Sequence, residues 1–131
     1  MNKWILICGA LLGASAVMTG AFGAHALQSV LDERARGWYD TAVTYHASHA
    51  LVLLVTGLVG LHIRSGAGKS AVLCAGICLL SGVMIFSGSL YVMAFTGITK
   101  LGMITPIGGA FLILGWLSLA LATSRMRTGV S

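Results

Sequence analysis

Four apolar stretches, at about residues 4–25, 41–63, 71–95 and 105–123, divide the chain, and the polar residues are concentrated in the breaks between them. Each stretch is close to the roughly 20 helical residues needed to cross a hydrocarbon core about 30 Å thick. Between the first two, Leu27, Val30, Leu31 and Trp38 keep an approximately helical spacing, with Asp32, Glu33 and Arg36 largely elsewhere on the wheel. That pattern predicts a short amphipathic helix over 27–38 lying in the interface plane. Gly37 is expected to end it, Trp38 and Tyr39 to sit at headgroup level, and Asp40 to cap the next helix. Residues 64–70 read as a tight polar loop. Pro106 suits the first turn of the last helix.

Small residues add a second pattern. Gly9, Gly13, Ala16, Gly20 and Gly23 recur at alternating four- and three-residue steps, which predicts a groove where another helix packs closely. Leu12, off that groove, is expected to face lipid. In the second run Ala42, His46, His49, Leu53, Thr56 and Gly60 form a mixed stripe, expected to be its protein-facing side and to meet the glycine groove. The small or weakly polar positions of the third run are Cys74, Cys78, Ser81, Gly82, Ser87, Gly88 and Ser89, with Tyr91 near its outer end.

Composition removes the soluble alternatives. The chain has 131 residues, 57% hydrophobic and only 8% charged, against about 25% charged in a soluble domain. It reads as a single membrane domain over 1–131: an all-α integral membrane protein with four transmembrane helices and a short interfacial amphipathic helix between the first and second. Ala14-Ser15-Ala16 resembles a signal-peptide cleavage site, but the apolar run continues well past it, so an uncleaved anchor is expected. The formal charge of +5 comes from basic residues scattered singly at helix ends, which suits membrane orientation and not nucleic acid. With four crossings, Lys3, Arg64, Lys69, Arg125 and Arg127 share one side. Arg34, Arg36 and Lys100 share the other, with all three acids, Asp32, Glu33 and Asp40. The positive-inside rule then puts both termini in the cytoplasm of a cell inner membrane.

Candidate chemistry centres on the histidines. His46 and His49, three residues apart, fall on one side of a helix, and ionisable groups in a membrane segment usually face the bundle interior. Topology places His25, His46, His49 and Tyr91 toward the same outer side, as a candidate polar or ligand site just below the surface. Imidazoles there either hydrogen-bond neighbouring helices or handle a ligand, a proton or a metal. The expectation is the first, with no metal and no cofactor. Gly68-Lys69-Ser70 resembles the end of a phosphate-binding loop, but Ile63 stands where the earlier glycine is needed and no strand precedes it. Cys8, Cys74 and Cys78 lie in apolar runs and read as packing residues. A small transporter using the histidine layer is the alternative reading, weakened because no Asp or Glu falls in any crossing. No catalytic pattern of nucleophile and base is present, so an enzyme is not expected.

Four strings carry a resemblance: Gly20-Ala21-Phe22-Gly23-Ala24-His25-Ala26-Leu27, Tyr45-His46-Ala47-Ser48-His49-Ala50-Leu51, Phe86-Ser87-Gly88-Ser89-Leu90-Tyr91 and Ile104-Thr105-Pro106-Ile107-Gly108-Gly109. Together they resemble the YgdD-like family of small inner-membrane proteins, a domain of unknown function with a vertebrate transmembrane relative. The resemblance spans nearly the whole chain and implies several membrane helices and no established reaction. The combined expectation is a structural or accessory membrane component. Its partners would be the lipid bilayer, copies of itself or other membrane proteins, met through small-residue faces such as Gly9, Gly13, Gly20 and Gly23.

Overall fold

The computed structural model describes residues 3–63 and 66–126. These form α1 (Lys3–His25), α2 (Glu33–His62), α3 (Ala67–Thr96), a 3-10 helix (Thr99–Met103) and α4 (Thr105–Ser124), with no strand among the described residues. All four α-helices are long and apolar enough to cross a membrane. Large apolar side chains such as Leu11, Val17, Met84 and Ile113 point outward, as a bundle in hydrocarbon permits.

The interfacial helix over 27–38 is not formed. The chain turns at 26–32 and α2 then begins at Asp32, whose side chain accepts the Ala35 N–H at 2.8 Å and serves as N-cap. Asp40 lies inside the helix, and so does Gly37, whose Cβ position meets nothing. One glycine in a helix costs about 1 kcal/mol, too little to end one anchored on both sides. The anchor is a cluster of Leu27, Ala35, Tyr39 and Ala94, with Leu31 and Trp38 packed against it. Ala35 and Tyr39 of this cluster begin the buried stripe of α2: Ala35, Tyr39, Ala42, His46, His49, Leu53 and Thr56 follow one another at steps of three and four.

The second connection is also shorter than its polarity suggests. Gly66, in the left-handed region at φ 74°, completes the turn, so Gly68-Lys69-Ser70 belongs to the first turn of α3 and not to a loop. Gly68 packs against Ile63 and the Arg125 side chain. Arg64 and Arg127, used above for orientation, lie outside the described residues. Gly97, left-handed at φ 70°, ends α3 with its N–H on the Met93 carbonyl at 2.8 Å, and Pro106 occupies the first turn of α4.

α2 and α3 lie side by side; α1 packs on α2, and α4 packs mainly on α3. The core between them contains Ile5, Leu53, Val72, Ala75, Leu79, Val83 and Leu112. Glycines set the closest approaches. Gly9 admits Leu54 and Ala50 of α2, Gly23 admits the Tyr39 ring, and Gly57 admits Leu6. Gly20 is looser, with Val43 at 3.6 Å from its Cβ position. Gly13 is a correction: nothing lies within 4 Å of its Cβ position. It lines an open apolar groove of ≈ 380 Å³ between α1 and α2. Leu12 is corrected too, since it packs against the core instead of facing lipid. The tightest seam is between α3 and α4, where Gly82 seats Leu112, Gly115 seats Leu79 and Gly108 lies on the Phe86 backbone.

Candidate functional site

The polar interior is built from hydroxyls and imidazoles that different helices present to one another. His46, 6% exposed, has both ring nitrogens engaged. Nε2 lies 3.0 Å from Ser15 Oγ of α1, and Nδ1 lies 3.0 Å from the Tyr91 hydroxyl of α3. Tyr91 also reaches Thr19 Oγ1 at 3.3 Å, and Tyr39 donates to the Thr19 carbonyl at 2.6 Å. The Tyr39 and Tyr91 rings meet edge to face at 5.3 Å. Ser87, 2% exposed, donates to the Ala42 carbonyl at 2.9 Å and so ties α3 to α2. Around Tyr39, Arg36 donates to the Gly23 carbonyl at 3.1 Å, satisfying an orphan acceptor near the end of α1.

His49 turns elsewhere. Its Nε2 accepts from the Trp116 indole N–H of α4 at 3.2 Å, and its Nδ1 lies 2.9 Å from the Tyr45 carbonyl. An indole N–H only donates, so Nε2 carries the lone pair and Nδ1–H donates to Tyr45. His46 is bounded by hydroxyls, which both donate and accept, and its tautomer is not dictated in the same way.

The four sequence candidates are therefore not one site. Tyr91 and His46 are brought together. His49, one turn on, faces α4, and His25 is exposed at the end of α1 with no hydrogen bond to the cluster among the described residues. Among the same residues no three His, Cys, Asp or Glu side chains converge as a metal would require. Depth is corrected as well. Ser15, opposite His46, lies ten residues from His25 and twelve from Lys3 in α1, about 15–18 Å from either end. His46 is thus level with the middle of the bundle, not just below one surface. The cluster climbs from there through Tyr91 and Thr19 to Tyr39.

Sequence reasoning missed Ser15, Thr19, Tyr39, Ser87 and Trp116. Two hydroxyls one turn apart in the middle of an apolar run, Ser15 and Thr19, were the available signal for the first pair. Cys74 and Cys78, with Sγ atoms 4.0 Å apart, lie away from this cluster, beside Ser118 of α4.

His46, Ser15, Ser87 and Tyr91 also line a cleft of ≈ 300 Å³ between α1 and α3, whose remaining walls are Leu12, Val83, Met84 and Gly88. No charged side chain lines it.

Comparison with known proteins gives one consistent result. A UPF0382 membrane protein of Staphylococcus epidermidis is 46% identical over 121 residues, covering 92% of this chain and 95% of the relative. A UPF0382 membrane protein of Bacillus subtilis is 39% identical over 120 residues, with 92% and 95% covered. One of Haemophilus influenzae is 36% identical over 127 residues, with 97% and 98% covered. No solved structure matches. The family model described as Protein of unknown function (DUF423) matches residues 19–109, a span that contains His46, His49, Gly82 and Tyr91 but begins after Ser15 and ends before Leu112. With that match and full-length relatives named as membrane proteins, the chain belongs to the DUF423 family of small helical membrane proteins.

Proposed function

We propose that this protein is an accessory component of the cell inner membrane that catalyses no reaction of its own and acts through contact with copies of itself or with other membrane proteins. Within its family we place it with the YgdD-like inner-membrane proteins and their vertebrate relatives, on the four strings quoted above. The observation that supports the accessory role is the closure of its polar interior: every buried side-chain nitrogen or oxygen among the described residues has a hydrogen-bond partner. The two histidines that most suggest chemistry are used to hold helices, His46 between α1 and α3 and His49 to α4. Such bonds are a common glue between membrane helices. Both termini are cytoplasmic in this reading, because Lys3, Lys69 and Arg125 lie at the end opposite Arg34, Arg36, Lys100 and all three acids.

The groove that Gly13 lines supplies the contact surface. Ala10, Ala14 and Ala47 complete a floor of small residues, flanked by Val17, Leu51 and Leu54, against which another helix can pack. A photo-crosslinking amino acid placed at Ala14 in living cells tests this. Discrete protein adducts are expected from Ala14, and lipid adducts alone from Ile113 on the outer face of α4. Lipid adducts alone from both positions would overturn the proposal.

A further inference from the structure

α1 and α3 touch at two levels. Near one end Ile5 of α1 sits over Gly76 of α3; toward the other, Tyr91 of α3 reaches Thr19 of α1. Between these crossings the two helices stand apart over α2, and the ≈ 300 Å³ cleft occupies the gap. Gly88 helps to keep it open, since nothing lies within 4 Å of its Cβ position. Met84, 61% exposed, stands at the mouth. Because Ser15 is halfway along α1, the cleft opens sideways into hydrocarbon and not to water.

The hydrogen atoms inside it can be counted. If His46 carries its proton on Nδ1, that proton goes to Tyr91, Tyr91 donates to Thr19, and Ser15 donates to Nε2. If the proton is on Nε2, it goes to Ser15, Ser15 donates to the Leu12 carbonyl at 3.0 Å, and Tyr91 donates to Nδ1. In both tautomers Ser87 donates to Ala42. Every O–H and N–H proton of the cleft's polar side chains is thus committed to the protein, whereas the hydroxyl oxygens of Ser15 and Ser87 retain lone pairs. The cleft offers acceptors and no free donor.

That count selects a ligand. A molecule reaching the cleft from hydrocarbon needs an apolar body, matched by Leu12, Val83 and Met84. It must be neutral, because no charged side chain is present to compensate a charge at this depth. Its polar end must donate a hydrogen bond, so an ester, ether or ketone alone gains nothing. A volume of ≈ 300 Å³ is at the small end of ligand pockets, which suits a compact head. We infer that the cleft between α1 and α3 is a binding site, opening into the bilayer, for the hydroxyl end of a neutral lipid-soluble alcohol or phenol. The site does not depend on the accessory reading, because it rests on the cleft and its proton count and not on the groove beside Gly13.

Three photoactivatable probes sharing one aryl-diazirine body test the inference: the benzyl alcohol, its methyl ether and the matching benzoate. Each is incubated with the full chain in vesicles of phosphatidylethanolamine and phosphatidylglycerol, irradiated, and mapped by peptide mass spectrometry. Labelling at Ile113, exposed to lipid on α4, normalises for partitioning into the bilayer. The alcohol is expected to label the cleft segments around Leu12 and Met84 about fivefold more than the ether or the benzoate, the effect of one net hydrogen bond. Gly88→Leu fills the cleft without a backbone collision and is expected to reduce the alcohol's labelling to the level of the ether while the variant keeps its helical circular dichroism. Equal normalised labelling by alcohol and ether in the wild type, or undiminished labelling by the alcohol in folded Gly88→Leu, overturns the inference.

Discussion

Replacing Gly108 by alanine puts a methyl group onto the backbone of the neighbouring helix. The new Cβ would meet Phe86 N and lie 2.8 Å from Phe86 Cα and 2.9 Å from Phe86 Cβ. These atoms belong to the body of α3 and cannot swing aside, so α4 must move away. Carbon atoms pack best at about 3.5–4.0 Å, and a gap of about 0.5–1 Å forfeits a quarter to a half of each contact's attraction. Leu112, seated on Gly82 one turn further along α4, is 4% exposed. A buried leucine makes about 40–60 contacts of about 0.1–0.2 kcal/mol, so losing a quarter of them costs about 2 kcal/mol. Leu79 on Gly115 adds to this, and the better helix propensity of alanine returns about 1 kcal/mol. The net loss is about 1–3 kcal/mol, the usual range for overpacking. Gly13→Ala is the control. It meets nothing within 4 Å and is expected to be neutral or up to about 1 kcal/mol more stable. Unfolding of each variant by added dodecyl sulfate in mixed micelles, followed by circular dichroism, measures the difference. Equal stability of the two variants would refute the idea that the α3–α4 seam is set by backbone contact.

Trp116→Phe deletes the donor to His49 Nε2, and a double-mutant cycle with His49→Ala should give a coupling of about 0.6 kcal/mol, typical of membrane helix hydrogen bonds; zero coupling would remove the α2–α4 tether. Asp32→Ala loses the bond to the Ala35 N–H and should lower stability by about 1 kcal/mol, whereas Asp40→Ala should leave it nearly unchanged; the opposite order would restore a helix start at Asp40. In a background lacking the three native cysteines, an impermeant thiol reagent should reach Ser29→Cys from outside the cell and Ala67→Cys only after lysis. The reverse pattern would invert the proposed orientation.

Four crossings, their order and most of their ends were legible because hydrocarbon imposes a length and a composition that few other solvents do. The start of α2 was not. Charge at Asp32, Glu33, Arg34 and Arg36 suggested a separate surface helix, while the buried stripe of α2 runs back unbroken past His46, Ala42 and Tyr39 to Ala35. Read as one period, those positions already describe a single helix whose first turns stand in the headgroup region. The glycines were legible as close-packing residues but not in their pairing. Gly108 and Gly115, seven residues apart on one face, form a tighter seam than the more conspicuous Gly9–Gly13 repeat, because only contact with a partner tells a seat from an open groove. The histidines show the same limit. A spacing of three puts two rings on one side of a helix, yet His46 and His49 differ enough in direction to reach different neighbours.

Unequal helix length has a consequence for how the molecule sits in its solvent. α1 has 23 residues and α4 has 20, about 30–35 Å each at 1.5 Å per residue, which matches an average hydrocarbon core. α2 and α3 have 30 residues each, about 45 Å, and must project into the headgroups or tilt. At the start of α2 the overhang carries Arg34, 5.0 Å over the Trp38 ring, a cation–aromatic pair suited to the interface. Sinking would drag that pair into hydrocarbon, and rising would expose the apolar ends of the two shorter helices to water. The short pair therefore gauges bilayer thickness while the long pair fixes vertical position, and a membrane a few ångströms thicker or thinner is met by tilt of the whole bundle.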